Sequence, residues 1–356
     1  MAPKTKFLTD NALTRKKWAK DLFILILPDV EYNTLVGTGT SSIVQTKSDL
    51  GKGEGDKLTF GIRKPLVEDG VIGDKTVEGT EEKLNFKDFD MTIEEINKAV
   101  DTGGKMEEQR IPYNLYTEGR DALQEWWGDF LSDMLINTLA GNSDWKHAGV
   151  DFAQACVEPD VYHYIGAGQD ADTTVATVDA AIDSSCECDL GFLNRLKQKA
   201  EVPTGTNCYK LRPLVHKGKK YFRVILHNYV FDMLRENMNA GQWGDITRAA
   251  NKLQIPEVEI EYNGMLISKS ERLPKVATVG SGGAYRMLFL GCQAACWAWG
   301  GAGDSKGSIM SFVPYKKDAD RFVMIRGGGI LGVKKTRFES VDYGIITGVS
   351  YGIALT

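Results

Sequence analysis

Two cysteines near the middle of the chain have a spacing that is common in metal sites. Cys186 and Cys188 form a C-x-C pair, which could supply two thiolates to a zinc ion. A structural zinc site takes four ligands at recognisable spacing, but neither Cys156 nor Cys208 has a second Cys or His two to four residues away. We therefore expect no bound metal, and the role of the pair stays open.

A second candidate site is the glycine-rich segment 327–332, whose sequence GGGILG matches the G-x-G-x-x-G pattern of dinucleotide-binding loops. That pattern requires a strand before it, a helix after it and an acidic residue about twenty residues further on. Residues 333–337 do not predict a helix, so we interpret the segment as a glycine turn between two strands. The segment predicts no bound nucleotide and no other cofactor.

The other residues that could carry chemistry form no catalytic pattern. The four histidines are scattered, and no H-E-x-x-H sequence occurs. Cys292 and Cys296 lie four residues apart on a predicted helix, where both would face one side and behave as small apolar residues. We predict no catalytic residues, and the absence of a recognisable site favours a structural role.

The strongest predicted helix covers residues 113–139. Its apolar side chains recur at the three- and four-residue spacing of a buried helical face, and Gly141 with Asn142 supplies the stop. The residues at this spacing are Leu115, Leu123, Trp127, Phe130, Leu131, Met134, Leu135 and Thr138. At 1.5 Å per residue the helix would be roughly 40 Å long, which suits a structural spine.

Residues 47–83 combine recurrent glycines with charged residues, and strand patterns frame them. Apolar and polar residues alternate over 57–63 and again from residue 84, which predicts two half-buried strands. The long hairpin tip between them, 64–83, has few residues for a core. An isolated two-stranded hairpin is marginal in water, and its edges invite pairing with other chains. The residues alone leave two interpretations open: a mobile loop, or a tip that other subunits hold.

The remaining elements follow from periodicity and turn residues, and together they indicate an α+β protein. Residues 166–189 are rich in Asp, Ala and Thr, and we interpret them, like the glycine-rich 300–307, as surface loops. The predicted elements are helices at 10–23, 189–202, 229–238 and 245–253, hairpins at 209–226 and 258–267, and strands at 322–325, 330–333 and 343–351.

Composition limits the possible partners. The chain has 356 residues, 42% of them hydrophobic, and a net charge of −5, which is typical of a globular protein without overall attraction to nucleic acid. The short basic clusters at 15–20, 217–220 and 334–337 are interpreted as solvated faces. The polar start and the short apolar run at 22–27 predict no secretory signal and no membrane partner, so reduced cysteines in a cytoplasm are expected.

A series of short motifs runs along most of the chain in a fixed order and spacing. They are LVGTG at 35–39, DLGKG at 49–53, GDKLTF at 55–60, GVIGD at 70–74, EGTEE at 78–82, KMEEQR at 105–110, LAG at 139–141, GQWGD at 241–245, YNGM at 262–265, ERLP at 271–274, LFLGCQAA at 288–295, KKTRF at 334–338 and DYGIIT at 342–347. Together these motifs resemble the major capsid protein family of tailed bacteriophages typified by the N-four-type podophages. The resemblance covers about residues 18–351 and is weakest over 143–208.

The resemblance implies an HK97-like capsid fold, in which subunits close a shell around DNA. Arg63, Lys64, Leu66, Val71 and Ile72 would then lie over an adjacent subunit. The implied divisions are an N-terminal arm at 1–46, an extended loop at 47–83, a peripheral domain with the spine helix at 84–142, an axial domain at 143–313, and C-terminal strands at 314–356 that return to one or both domains.

The implied partners are copies of the same chain in hexamers and pentamers of an icosahedral head, assembled in a bacterial cytoplasm. A separate scaffold, a portal and a decoration protein are further expected partners, and packaged DNA would touch the inner face without sequence readout. Two alternatives stay open. An encapsulin-like shell would enclose protein cargo, and a soluble α/β enzyme would use the glycine segment or the cysteine pair.

Overall fold

The computed structural model describes most of the chain beyond the first 32 residues. The predicted helices at 10–23 and 245–253 and most of the predicted loop at 300–307 lie outside the described residues. The described residues are 33–47, 57–63, 66, 70–74, 76–79, 81–84, 86–104, 109, 115–146, 156–166, 169–174, 177–203, 209–216, 218–238, 243, 257–301, 310–318, 322–338 and 340–354.

The elements mix strands and helices throughout, so the predicted α+β class is confirmed. The strands are β1 Val36–Gly37, β2 Val44–Lys47, β3 Lys57–Arg63, β4 Phe86–Thr92, β5 Glu94–Gly104, β6 Tyr162–Gly166, β7 Gln169–Thr173, β8 Leu214–His216, β9 Lys219–His227, β10 Ile260–Tyr262, β11 Met265–Ser270, β12 Lys275–Val279, β13 Gly282–Leu290, β14 Ala295–Trp299, β15 Met310–Lys317, β16 Phe322–Lys335, β17 Arg337–Phe338, β18 Val341–Asp342 and β19 Ile345–Gly352. The α-helices are α1 Leu115–Ala140, α2 Val178–Ala181, α3 Leu190–Glu201 and α4 Asn228–Glu236.

Helix α1 is the predicted spine, and it packs against a six-stranded sheet. Strand β16 forms the centre of that sheet, with β14, β15 and β5 all antiparallel to it, and β2 then β1 beyond β14. Leu123, Trp127 and Leu131 of the helix are fully buried in the shared core. Gly119 permits the close approach, because a Cβ there would lie 2.9 Å from Thr102 Cγ2 on β5.

The carboxyl end of α1 has the expected glycine stop. Gly141 adopts the left-handed conformation at φ 67°, its N–H donates to the Thr138 carbonyl at 3.2 Å, and the Asn142 N–H donates to the Asn137 carbonyl at 3.0 Å. This pair of bonds is a Schellman motif, which satisfies carbonyls that a helix end leaves without partners.

The glycine segment 327–332 is not a turn, so that interpretation was wrong. It lies inside the continuous 14-residue strand β16. The physical reason is close packing on both neighbours: a Cβ on Gly327 would lie 2.6 Å from Phe312 Cε1 and 2.9 Å from Trp127 Nε1. Glycine here makes room for large aromatic side chains rather than for a reversal of the chain.

The second large sheet has nine strands. Its strand order is β10-β11-β9-β13-β19-β6-β7, with β12 added beside β13 and β8 beside β9. Helices α3 and α4 cover it through a core that includes Phe192, Leu196, Val230, Phe222 and Phe289. The predicted helices at 189–202 and 229–238 and both predicted hairpins are confirmed, with the Asn263–Gly264 turn joining β10 to β11.

Two further expectations were wrong. Residues 166–189 are not only loops, because they contain β7 and α2, and β7 pairs with β6 at the edge of the nine-stranded sheet. Cys292 and Cys296 do not share a helix: Cys292 lies between β13 and β14, and Cys296 lies on β14. The apolar run there serves two strands that are buried on both faces, which periodicity alone does not separate from a buried helix.

Candidate subunit interface

The predicted hairpin around residues 47–83 forms from β3 and β4. The two strands pair antiparallel from Lys57 opposite Thr92 to Arg63 opposite Phe86. Leu58, Phe60 and Ile62 are at alternating positions, as their spacing predicted. Within the described residues this pair forms a separate two-stranded sheet, so its stability depends on what its faces touch.

Asp90 joins the two strands through its carboxylate and contacts the body of the protein through its backbone carbonyl. Asp90 Oδ2 lies 2.5 Å from Lys57 Nζ, and Asp90 Oδ1 accepts a hydrogen bond from Thr59 Oγ1 at 2.6 Å. Lys334 of β16 donates to the Asp90 carbonyl at 2.6 Å. The hydrogen bond from Lys57 is the main reason that the pKa of Asp90 lies below its ordinary value.

An aromatic cluster anchors the base of the hairpin. The Phe89 ring lies 6.1 Å from the Phe60 ring and 6.0 Å from the Phe338 ring, centroid to centroid. The Lys334 ammonium lies over the Phe89 ring, 4.9 Å from its centroid, where a cation is attracted by the π face. Met91 is fully buried in the same cluster. The base is therefore held by a core contact, not by the strand pairing alone.

Beyond this base the large apolar side chains of the hairpin are exposed. Phe89 is 5% exposed, but Phe86 is 63% exposed and Leu84 is 55% exposed, although both are large apolar side chains. Ile72 is 83% exposed and Val77 is 63% exposed. Single apolar residues on a surface are ordinary, whereas a series of them along one extension indicates an interaction surface.

Four of the five predicted contact residues are described, and they lie on this extension or at its start. Leu66 is 61% exposed, Val71 is half-buried and Ile72 is the most exposed large apolar residue in the described part of the chain. Arg63 is the last residue of β3, and Lys64 lies outside the described residues. Their contact with an adjacent subunit stays a prediction.

Two glycines shape the described part of the tip. Gly73 and Gly79 have φ values of 76° and 90°, and a Cβ on either would meet no atom within 4 Å. The left-handed backbone, not crowding, therefore explains glycine at both positions. The Gly79 N–H donates to Glu81 Oε2 at 2.8 Å, which closes a local turn.

The two cysteines of the C-x-C pair lie in separate cores. Cys186 packs with Tyr162 and Val349, whereas Cys188 packs with Phe192 and other residues of a separate core. Burial raises the pKa of both thiols, so both stay protonated at neutral pH. Among the described residues, no group of three or more His, Cys, Asp or Glu side chains is placed to bind a metal ion.

In the part of the chain that the structure describes, no helix combines the length and apolar character that crossing a membrane requires.

Comparison with known proteins finds a matching family and solved structures that share this architecture. The family model described as phage capsid protein matches residues 7–355. The capsid of Ralstonia phage GP4 has a TM-score of 0.76 at 21% identity, covering 100% of this chain and 97% of that chain. The Cyanophage Pam1 capsid subunit has a TM-score of 0.65 at 15% identity, covering 99% and 98%. The capsid of Helicobacter pylori bacteriophage KHP30 has a TM-score of 0.66 at 13% identity, covering 99% and 100%.

A curated relative gives a shorter match. The major capsid protein of Pseudomonas phage KPP25 is 32% identical over 112 residues, which is 31% of this chain and 30% of that protein. The chain shares the fold of these capsid structures, which is the expected HK97-like fold. The chain belongs to the phage capsid protein family.

Sequence reasoning missed the anchor of the hairpin. Lys334 lies in a short basic cluster that we interpreted as a solvated face, yet it is half-buried against Phe89 and Asp90. That interpretation was wrong for Lys334, because its neighbours come from a strand more than 240 residues earlier. Alternation over β3 and β4 located the hairpin, but it gave no signal for the anchor.

Proposed function

We propose that this chain is a major capsid protein that assembles into hexamers and pentamers of an icosahedral phage head enclosing double-stranded DNA. The observation that carries the proposal is the hairpin, whose base is packed in a core while its outer part exposes Leu66, Ile72 and Val77. A side chain of this size gains roughly 1.5–3 kcal/mol on full burial, so a neighbouring subunit that covers the tip is stabilised by it.

The two sheets suggest how the subunit is divided in the shell. We assign the six-stranded sheet with α1 to the peripheral domain and the nine-stranded sheet with α3 and α4 to the axial domain. Because strands β14 and β15 pair with β16, we propose a boundary near residue 291 in place of the expected one at 313. Strand β19 returns to the nine-stranded sheet and β16 to the six-stranded sheet, as C-terminal strands linking both domains.

Other partners follow from the same role. A shell of this kind needs a portal for DNA entry, and a separate scaffold and a decoration protein are further partners that we propose. Contact with DNA would be non-specific, through charges that meet phosphates on the inner face. The subunit would then reside in the virion and have no catalytic activity.

Deletion of residues 64–80 tests the proposal. The shortened subunit should keep its circular dichroism spectrum and melting temperature, because the anchor at Phe89 and Asp90 is retained. Negative-stain microscopy and sedimentation should show shells for the intact chain and free subunits for the deletion. Unfolding of the deletion variant, or normal shells from it, would contradict the assigned role of the loop. A strictly monomeric intact chain with stoichiometric zinc or nucleotide would favour the enzyme alternative.

The encapsulin-like alternative predicts the same subunit and the same assembly. Purified particles distinguish the two: DNA protected from nuclease supports the phage head, whereas a single protein cargo without nucleic acid supports the compartment.

A further inference from the structure

The chain carries two surfaces of opposite charge, and each is concentrated in one segment. Residues 66–82, the acidic tip, contain six Asp and Glu residues and one Lys. Residues 202–231 contain six Lys and Arg residues and no Asp or Glu. Five of these six lie in residues 210–220, the basic turn. Segregated charge of this kind steers association and selects partners.

The basic turn is built as a projecting hairpin. Strands β8 and β9 pair from Leu214 opposite Tyr221 to His216 opposite Lys219, and Gly218 makes the turn at φ 78°. Lys219 and Lys220 are exposed, and Val215 beside them is 64% exposed. An exposed apolar side chain surrounded by like charges resembles the centre and rim of a protein interface.

The body of the protein holds the base of this turn in place. The Leu211 N–H donates to the Ala200 carbonyl at 2.9 Å, and the Cys292 N–H donates to the Arg212 carbonyl at 2.7 Å. Leu214 packs against the main core. Because the strands are already ordered, a partner that binds the turn has little conformational entropy to remove.

Neighbouring elements add to the positive charge. Lys197 of α3 donates to the Asn263 carbonyl at 2.7 Å, in the turn next to Lys220. Among the described residues, the acidic groups against this region are Glu201, 3.8 Å from Lys197, and Glu261, which is hydrogen-bonded to Tyr221. The four described basic residues of the turn and Lys197 outnumber these two carboxylates, so the described surface is positive.

We propose that the basic turn of one subunit receives the acidic tip of a second copy of this chain. Val215 would pack against Ile72 or Val77, and Lys219 and Lys220 would face the carboxylates of the tip, such as Asp74 and Glu78. The proposal rests on the proposed function, since it names the receiver of the same tip. Packaged DNA is the other ligand for a basic surface, but phosphate contact gives no role to an exposed Val215.

Charge reversal in the full-length chain tests the pairing. Asp74→Lys with Glu78→Lys in one variant, and Lys219→Glu with Lys220→Glu in another, should each raise the critical concentration for shell assembly about ten-fold or more. All four positions are exposed, so the melting temperature of the unassembled subunits should stay unchanged. Sedimentation at low and high salt measures the effect, which salt should reduce.

Mixing the two variants shows whether the contact joins different subunits. A reversed tip then meets a reversed turn on its neighbour, so the mixture should assemble where each variant alone fails. Lys316→Glu with Lys317→Glu, at exposed lysines on β15, is the matched control and should not restore assembly with the reversed tip.

Three results would overturn the pairing. Single reversals without effect, while deletion of 64–80 still abolishes assembly, would leave the proposed function standing and remove this receiver. Failure of the mixture to assemble would also exclude the pairing. Intact shells that lose packaged DNA on reversal of Lys219 and Lys220 would assign the turn to nucleic acid.

Discussion

The ammonium nitrogen of Lys335 lies 2.7 Å from Oδ2 of Asp342, although the lysine side chain is only 2% exposed. The guanidinium of Arg337 lies 3.0 Å from the other carboxylate oxygen, Asp342 Oδ1. Lys335 is the last residue of β16 and Asp342 the last of β18, so the ion pair fixes the chain where it passes from the six-stranded to the nine-stranded sheet. Burial lowers the pKa of Lys335 and raises the pKa of Asp342, because both charges have left water.

Removing one partner of this pair should destabilise the subunit strongly. Lys335→Met leaves the Asp342 carboxylate buried with Arg337 alone, and we expect a loss of about 3–5 kcal/mol in the free energy of unfolding. The double variant Lys335→Met with Asp342→Leu should lose less than the single one, because no unpaired charge remains. Urea unfolding of unassembled subunits at neutral pH measures both. A single variant within about 1 kcal/mol of the native chain would argue against the pair as a structural element.

Glycine in β16 should be required for packing and not for backbone conformation. Gly327→Val places new atoms against Phe312 and Trp127, so we expect a loss of about 1–3 kcal/mol from overpacking. Gly61→Ala on β3 is the matched control, since a Cβ there meets nothing within 4 Å and its φ is not left-handed. Thermal unfolding should separate the two variants. Equal melting temperatures would contradict the close-packing explanation.

The same strand shows what sequence could and could not predict. Helix α1, the two shorter hairpins and the stem of the long hairpin follow local periodicity and turn chemistry, and these were predicted correctly. The interpretation of the GGGILG segment was wrong because glycine is required there by close packing against Trp127 and Phe312, which lie outside the segment. Close packing between distant elements leaves no local signal.

The candidate subunit interface, like the fold, was predicted only in part from the sequence. Alternation located β3 and β4, and the family resemblance gave the expected contact residues, which stay a prediction. The anchor that joins Phe89, Phe338 and Lys334 was not predictable, because it brings together strands from both ends of the chain. The proposed receiver of the acidic tip is the basic turn of a second copy. That proposal needed the structure, because the structure shows that the two charged segments lie on separate hairpins.

His227 should make the stability of the nine-stranded sheet depend on pH. Its Nδ1 accepts a hydrogen bond from the Tyr229 N–H at 3.2 Å and caps α4, while its ring stacks on Tyr285 at 3.9 Å. Burial lowers the pKa of His227 below 6.5, with Glu271 acting weakly in the opposite direction. A lowered pKa means that protons bind the unfolded chain better. Stability is therefore complete above pH 6.5 and falls as the pH drops toward the folded-state pKa.

Two substitutions at His227 distinguish its role as the N-terminal cap of α4 from its role as a titrating group. His227→Asn keeps an acceptor for the Tyr229 N–H and should flatten the pH dependence of the melting temperature between about pH 7 and about pH 5, a range that begins just above the ordinary histidine pKa of about 6.5 and extends below it. His227→Ala should lose about 1 kcal/mol above about pH 6.5, because the cap is absent, and less at acidic pH, where the protonated Nδ1 of the native His227 no longer accepts the hydrogen bond. A native-like pH dependence in the asparagine variant would assign the titration to another group.

The exposed apolar residues of the tip should matter for assembly and not for folding. Ile72→Ser and Val77→Ser remove side chains that the isolated subunit leaves in water, so unfolding should change by less than about 0.5 kcal/mol. If each side chain gains roughly 1.5–3 kcal/mol on burial by a neighbour, the critical concentration for assembly should rise about ten-fold or more. Phe89→Ala is the opposite control, because it empties the anchored base and should lose about 3–5 kcal/mol of subunit stability. Light scattering during assembly and thermal unfolding of free subunits give the two readouts. If Ile72→Ser lowered the melting temperature as much as Phe89→Ala, the tip would belong to the subunit's own core and a neighbour would not be needed to cover it.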